Sequence, residues 1–204
     1  MINGIVIASM MICRIPNFLK GRLYLSACDS VWSPVECVDK FLNKYLTDEI
    51  GNTNVEYGGF LQMIDKTLLD LLPKKNLYAC FRGVEKNIIK HINVYPIERI
   101  YRNILNELIF VGWDVCTGSG WLSASIHGHF PIDIKTGNSI DVNAEKINFF
   151  GLFESQYDCI LYCDINNDNI PEHAPWYPVA IFLDKNSYTR LKKYLEFCRI
   201  KWIS

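Results

Sequence analysis

The spacing of apolar residues predicts a chain in which strands and helices alternate irregularly. Ile5 to Met11 is apolar at nearly every position, which is typical of a central strand buried on both faces. Shorter apolar or alternating runs predict further strands over 22–27, 77–81 and 178–183. Apolar residues that recur every three or four positions predict the longer helices, over 34–46, 58–72, 96–109 and 187–197.

Capping residues support several of these helices. In Ser33-Pro34-Val35-Glu36, Ser33 can cap the helix, Pro34 suits its first position, and Glu36 can return a bond to the Ser33 amide. Asn186 is the predicted cap of the last helix. Three shorter helices are predicted over 82–94, 144–150 and 155–162, and a polar loop over 164–175. Together these elements predict an α+β fold, with a mainly antiparallel or mixed sheet packed with several helices in a single globular domain spanning 1–204.

A glycine-rich stretch, 112–130, predicts a β-hairpin that turns at Gly118-Ser119-Gly120. His127 and His129 would share one face of its second arm, as a metal-binding pair requires. The third ligand stays open among three side chains: Asp114, Cys116 and His173. A thiol nucleophile at Cys116, with His127 or His173 as its base, is a second reading. The simpler reading of both histidines is a polar hairpin face.

The run Asp164-Ile-Asn166-Asn-Asp168 starts like a calcium-binding loop. Asn169 stands where the loop needs Gly, and Pro175 stands where it needs a bidentate Glu. The sequence therefore predicts a solvated loop, and no metal or other cofactor is expected.

Cysteines and the N-terminus indicate a compartment. The eight cysteines contain no CxxC pair and match no zinc spacing, which favours reduced core thiols. The apolar run 4–12 is too short to span a membrane and lacks the basic residues that begin a signal peptide. We therefore expect a cytoplasmic protein without a membrane segment.

Charge is distributed unevenly along the chain. The net charge of −1 argues against a general nucleic-acid binder. Residues 103–184 nevertheless carry eleven acidic and two basic side chains, net −9, whereas six basic residues and Glu196 give 185–204 a net charge of +5. An acidic segment that ends beside aromatic residues predicts a surface for a basic protein partner. The predicted partner-binding residues are Glu154, Asp158, Asp164, Asp168, Glu172 and Trp176.

Two stretches carry a resemblance to a known class of proteins. They are Gly-Trp-Asp-Val-Cys-Thr-Gly-Ser-Gly-Trp-Leu-Ser-Ala-Ser-Ile-His-Gly over 112–128, and Pro-Glu-His-Ala-Pro-Trp-Tyr-Pro over 171–178 with the strand after it. In general character they resemble immunity proteins of bacterial polymorphic toxin and contact-dependent growth inhibition systems. The resemblance implies a cytosolic, non-catalytic protein that neutralises a cognate toxin C-terminal domain, often a nuclease. The alternative is a small metal- or cysteine-dependent hydrolase centred on the 112–130 hairpin.

Overall fold

The computed structural model describes residues 4–14, 18–19, 22–23, 25, 63–64, 69–70, 72–75, 77–91, 99–100, 102–117, 146–169 and 171–203. In chain order the elements are β1 (Ile5–Arg14), β2 (Phe18–Leu19), β3 (Arg22–Leu23), β4 (Met63–Ile64), β5 (Leu77–Glu85), β6 (Arg99–Ile100), α1 (Arg102–Glu107), β7 (Ile109–Thr117), α2 (Gln156–Asn169), β8 (Trp176–Leu183) and α3 (Lys185–Ile203). Short 3₁₀ turns span Leu72–Lys75, Ile88–His91 and Pro171–His173.

The four long strands form one antiparallel sheet in the order β1-β5-β8-β7. Two small pairs accompany it, an antiparallel β2-β3 and a parallel β4-β6. This arrangement confirms the predicted α+β class. None of the helices within the described residues is both long and apolar enough to cross a membrane.

The sheet is covered on both faces, which is why its strands are apolar at successive positions. On the first face, which we call the α2 side, Ala180 and Phe182 of β8 pack in one cluster with Tyr162 of α2. On the second, the α3 side, Val179 and Ile181 pack in another cluster with α3 residues that include Leu191 and Leu195. Because neighbouring residues of a strand point to opposite faces, β8 contributes to both clusters.

Gly112 allows another segment to pack closely against β7. Its φ is +145°, and a β-carbon at this position would lie 2.6 Å from the Cβ of Leu152. The register of β7 against β8 also shifts between Phe110 and Gly112. On the far side of β7, Trp113 and Phe153 exchange backbone hydrogen bonds at 2.9 Å. Gly112 therefore lies within a strand, where the sequence indicated the break after a helix.

Residues 146–153 correct the helix predicted over 144–150. Ile147 forms an antiparallel bridge with Phe153 in place of a helical turn. The Asn148 side chain holds the intervening turn, since its Oδ1 accepts the N–H of Phe150 at 2.8 Å and its Nδ2 donates to the Val111 carbonyl at 2.7 Å. One side chain thus forms hydrogen bonds both within the turn and to the neighbouring strand. These bonds favour the turn over a local helix.

Three other predicted helices differ from the structure. The one over 82–94 is wrong over its described residues, because β5 continues to Glu85 and a 3₁₀ turn follows up to His91. The one over 58–72 is wrong at β4, although Leu69 and Asp70 are helical. The helix predicted over 96–109 is shorter in the structure, where it corresponds to α1. β6 precedes α1, and β7 begins at Ile109. The helix predicted from Ser33 and the second arm of the 112–130 hairpin lie outside the described residues.

Asp184 is the N-terminal cap of α3. The predicted cap, Asn186, lies two residues later, within the first turn of the helix. Asp184 Oδ1 accepts the N–H groups of Asn186 at 2.9 Å and of Ser187 at 3.0 Å. Those two donors would otherwise have no partner at the start of the helix. The helix therefore begins directly after β8 and turns back over the α3 side of the sheet.

Candidate protein-binding surface

Helix α2 begins with a side-chain cap. Ser155 Oγ accepts the N–H of Asp158 at 3.5 Å, and the Ser155 carbonyl accepts the N–H of Cys159 at 3.2 Å. Asp158 also accepts a hydrogen bond from Lys146 Nζ at 2.6 Å. A carboxylate in the first turn is stabilised by the helix dipole, so both contacts favour helix initiation at this point.

Both ends of α2 are tied to the sheet. At the first turn, Gln156 Nε2 donates to Glu85 Oε1 of β5 at 2.6 Å. At the last turn, Asn167 Oδ1 accepts the N–H of Trp176, the first residue of β8, at 2.8 Å. These bonds, together with the packing below, fix which face of the helix points outward.

The inner face of α2 packs on the core. Its buried residues are Cys159, Tyr162, Cys163 and Asn166. The Tyr162 ring lies 5.7 Å from that of Phe153, and Cys159 Sγ donates to the Asp114 carbonyl at 3.4 Å. Burial, and next the hydrogen bond with Cys163, raise the pKa of the Cys159 thiol well above its ordinary value. Cys159 is therefore a protonated packing residue and a poor nucleophile.

The outer face of α2 is both apolar and acidic. We use the name α2 outer face for six residues: Tyr157, Ile160, Leu161, Asp164, Ile165 and Asp168. Four are large apolar side chains that remain exposed, with Tyr157 at 69%, Ile160 at 38%, Leu161 at 40% and Ile165 at 42%. At 100° per residue the six occupy an arc of about 140°. The two carboxylates lie near the middle of this arc, between apolar side chains on both flanks.

Acidic residues continue beyond both ends of this face. Glu154 precedes the helix and Glu172 follows it in the 3₁₀ turn, and both are exposed. Lys146 is the only lysine or arginine between residues 146 and 184, and it is paired with Asp158. The part of the chain from 146 to 184 therefore brings mainly negative charge to α2.

The structure changes the predicted binding site in two respects. Asp164 and Asp168 lie on a helix, and the loop predicted from 164 begins only after Asn169. Trp176 is 2% exposed and belongs to the core cluster on the α2 side, so its ring is not at the surface where an interface anchor was predicted. Asp158 lies in the first turn of α2, where its ion pair partly covers it, and Glu154 and Glu172 lie just outside the two ends of the helix.

The apolar members of the α2 outer face were not among the predicted site residues. Their spacing was a usable signal, since positions 157, 160, 161 and 165 follow the three- and four-residue repeat of one helix face. The signal was hidden because the helix was predicted to end at Tyr162. Asn and Asp at 164–169 have low helix propensity and favoured a loop.

Of the residues of the alternative catalytic site, the structure describes Asp114, Cys116 and His173. Asp114 and Cys116 are buried in β7, with Cys116 in the core cluster on the α3 side. His173 lies next to Trp176, and the centres of the two rings are 6.4 Å apart. Trp176 belongs to the cluster on the α2 side. Among the described residues no group of three His, Cys, Asp or Glu side chains could hold a metal ion. His127 and His129 lie outside them.

No protein-family model, no curated protein and no solved structure matches this chain. The role of the α2 outer face is therefore inferred from its own chemistry.

Proposed function

We propose that this protein is an immunity protein, which binds a cognate toxin domain in the bacterial cytoplasm and neutralises it. The α2 outer face is the binding surface in this proposal. The observation that carries the proposal is the combination, on one well-anchored helix, of four exposed apolar side chains with central carboxylates. The resemblance of 112–128 and 171–178 to immunity proteins points to the same function.

Exposed apolar residues on one helix face are typical of helices that dock into a groove of a partner. Tyr157, Leu161 and Ile165 would supply the contact area that is removed from water. Asp164 and Asp168 would then choose the partner, because a buried carboxylate must be matched by a cation. A partner with an apolar groove lined by Arg or Lys fits both requirements.

A nuclease toxin fits this description for a physical reason. A protein that binds nucleic acid must present basic side chains to the phosphate backbone. A carboxylate-bearing helix is attracted by the same basic side chains and can block access to them. The inhibitor itself needs no catalytic group.

Co-expression with the protein encoded by the adjacent gene tests the proposal. We expect a stable complex of one inhibitor and one toxin domain, and loss of the toxin's activity when the two are mixed in equal amounts. The matched control is a variant carrying Asp164→Lys and Asp168→Lys, which should fold normally but fail to inhibit. If the native protein neither binds that neighbour nor protects cells that express it, the immunity function is wrong.

A further inference from the structure

Helix α3 carries a second exposed surface of opposite charge. Its inner face packs through residues that include Leu191 and Leu195. Its outward side presents Phe197 at 53% exposure and Ile200 at 71%. Exposed lysines lie around them, namely Lys192, Lys193 and Lys201, with one exposed carboxylate, Glu196, one turn before Ile200. We use the name α3 outer face for Lys193, Phe197, Ile200 and Lys201, which fall within an arc of about 100°.

The two outer faces are complementary in charge and similar in size. Residues 157–168 of α2 extend about 17 Å along the helix axis, and residues 193–201 of α3 about 12 Å. One face combines apolar side chains with carboxylates, and the other combines apolar side chains with ammonium groups. Within one chain the two helices lie on opposite sides of the sheet, so they cannot contact each other.

We propose that the α3 outer face of one copy docks on the α2 outer face of a second copy. Pairing of two α3 faces would bring lysines together, and pairing of two α2 faces would bring carboxylates together. Both arrangements are electrostatically unfavourable. The head-to-tail arrangement buries Phe197 and Ile200 against apolar residues and pairs opposite charges at the same time.

A head-to-tail contact has two consequences. An open assembly always keeps one unoccupied α2 outer face at one end and one unoccupied α3 outer face at the other, so the contact produces larger assemblies unless its rotation closes a ring. It also covers the surface assigned above to the toxin, so toxin binding would dissociate the assembly. Self-association itself concerns only copies of this chain and does not depend on the proposed function.

Sedimentation velocity over a concentration series tests the contact. We expect the average mass of the native protein to rise with concentration, and to rise less at about 1 M salt, where the screening length falls to about 3 Å. Variant A carries Asp164→Lys and Asp168→Lys. Variant B carries Phe197→Ala and Ile200→Ala, which should raise the dissociation constant by roughly tenfold or more through lost apolar contact. Both change exposed side chains only, and thermal unfolding checks that they fold.

Mixing the two variants is the experiment that tests the head-to-tail contact most directly. Variant A keeps an intact α3 outer face and variant B keeps an intact α2 outer face, so a mixture has one working contact. We expect mainly dimers containing one copy of each, whereas each variant alone associates much more weakly than the native protein. Lys86→Glu, at an exposed position after β5, is the control and should associate like the native protein.

Three results would overturn the head-to-tail contact. The first is a native protein that remains monomeric throughout the series. The second is native-like association of either variant alone. The third is a mixture that stays monomeric. In the first case, binding of the native protein but not of variant B to vesicles containing phosphatidylserine would assign the α3 outer face to an anionic lipid surface instead.

Discussion

Two side chains of α3 form hydrogen bonds with backbone groups of β5 beyond the end of its pairing with β8. Pairing between β5 and β8 ends at Cys80 and Leu183. Beyond that point, Ser187 Oγ accepts the N–H of Ala79 at 3.3 Å, and the Arg190 guanidinium donates to the Leu77 carbonyl. Burial lowers the pKa of Arg190, although nearby Asp184 acts in the opposite direction. These bonds satisfy backbone groups that would otherwise be buried without partners.

Removal of the Ser187 hydroxyl should therefore be costly. Ser187→Ala leaves the buried Ala79 N–H without its acceptor, and we expect a loss of about 1–3 kcal/mol in the free energy of unfolding. Thr189→Ala is the matched control, because that hydroxyl is exposed and bonds only to the Lys185 carbonyl within the helix. Urea titration measures both. Equal stability of the two variants would show that Ser187 does not complete the sheet edge.

The cysteines give a second prediction at this scale. Within the described residues Cys80, Cys116, Cys159 and Cys163 are buried free thiols and Cys198 is half-buried, in agreement with the predicted core thiols. A raised pKa means less thiolate at a given pH, so native Cys159 should resist iodoacetamide at pH about 8. Of these five thiols Cys198 should react first, and denaturant should remove the difference. Mass spectrometry of labelled peptides measures the two labelling rates. If Cys159 in the native protein were labelled as fast as Cys198, the burial of Cys159 would be contradicted.

At the scale of elements, α2 shows how packing extends a helix beyond its local preference. The apolar pattern predicted its first half, and the polar residues 164–169 indicated a loop. The structure continues the helix because Cys163 and Asn166 point inward and Asn167 bonds to the start of β8. Such contacts form only after the chain has folded, and they are not visible in a local sequence window.

Two tyrosines on α2 test its orientation. Tyr162 is buried against Phe153, so Tyr162→Ala should lower the free energy of unfolding by about 3 kcal/mol, as large-to-small core changes do. Tyr157 is mostly exposed on the outer face, so Tyr157→Ala should change it by no more than about 0.5 kcal/mol. Denaturant titration compares the two. The reverse order of stabilities would mean that the helix is rotated from the orientation described here.

The β5 strand was only partly predictable for a related reason. Its first residues are apolar and were predicted as a strand, whereas the residues from Arg82 onward were predicted as a helix. In the structure Arg82 and Gly83 pair with β8, and Gly83 is needed because a β-carbon there would lie 2.5 Å from Ile5 Cγ2. A glycine that admits a neighbouring strand resembles a strand terminator in the sequence alone.

At the scale of the whole molecule, the sequence predicted the class of fold but not the order of its strands. Each strand had a local apolar signal, while the order β1-β5-β8-β7 depends on pairing between distant segments. The same distinction applies to charge. The acidic and basic segments were evident in the sequence, whereas the placement of α2 and α3 on opposite sides of the sheet follows from the way each helix packs. Alternation along β8 could have assigned Trp176 to the core, since it shares a face with Ala180 and Phe182.

The central claim is that the α2 outer face binds a basic toxin domain. The most direct test is calorimetric titration of the toxin encoded by the adjacent gene with native protein and with the Asp164→Lys, Asp168→Lys double variant. Both carboxylates are exposed, so stability should be preserved, whereas affinity should fall by roughly a hundredfold or more through unpaired and repelling charges. Glu196→Lys, on the opposite side of the sheet, is the control and should bind like the native protein. A double variant that binds the toxin as tightly as the native protein, at both low and high salt, would contradict the account.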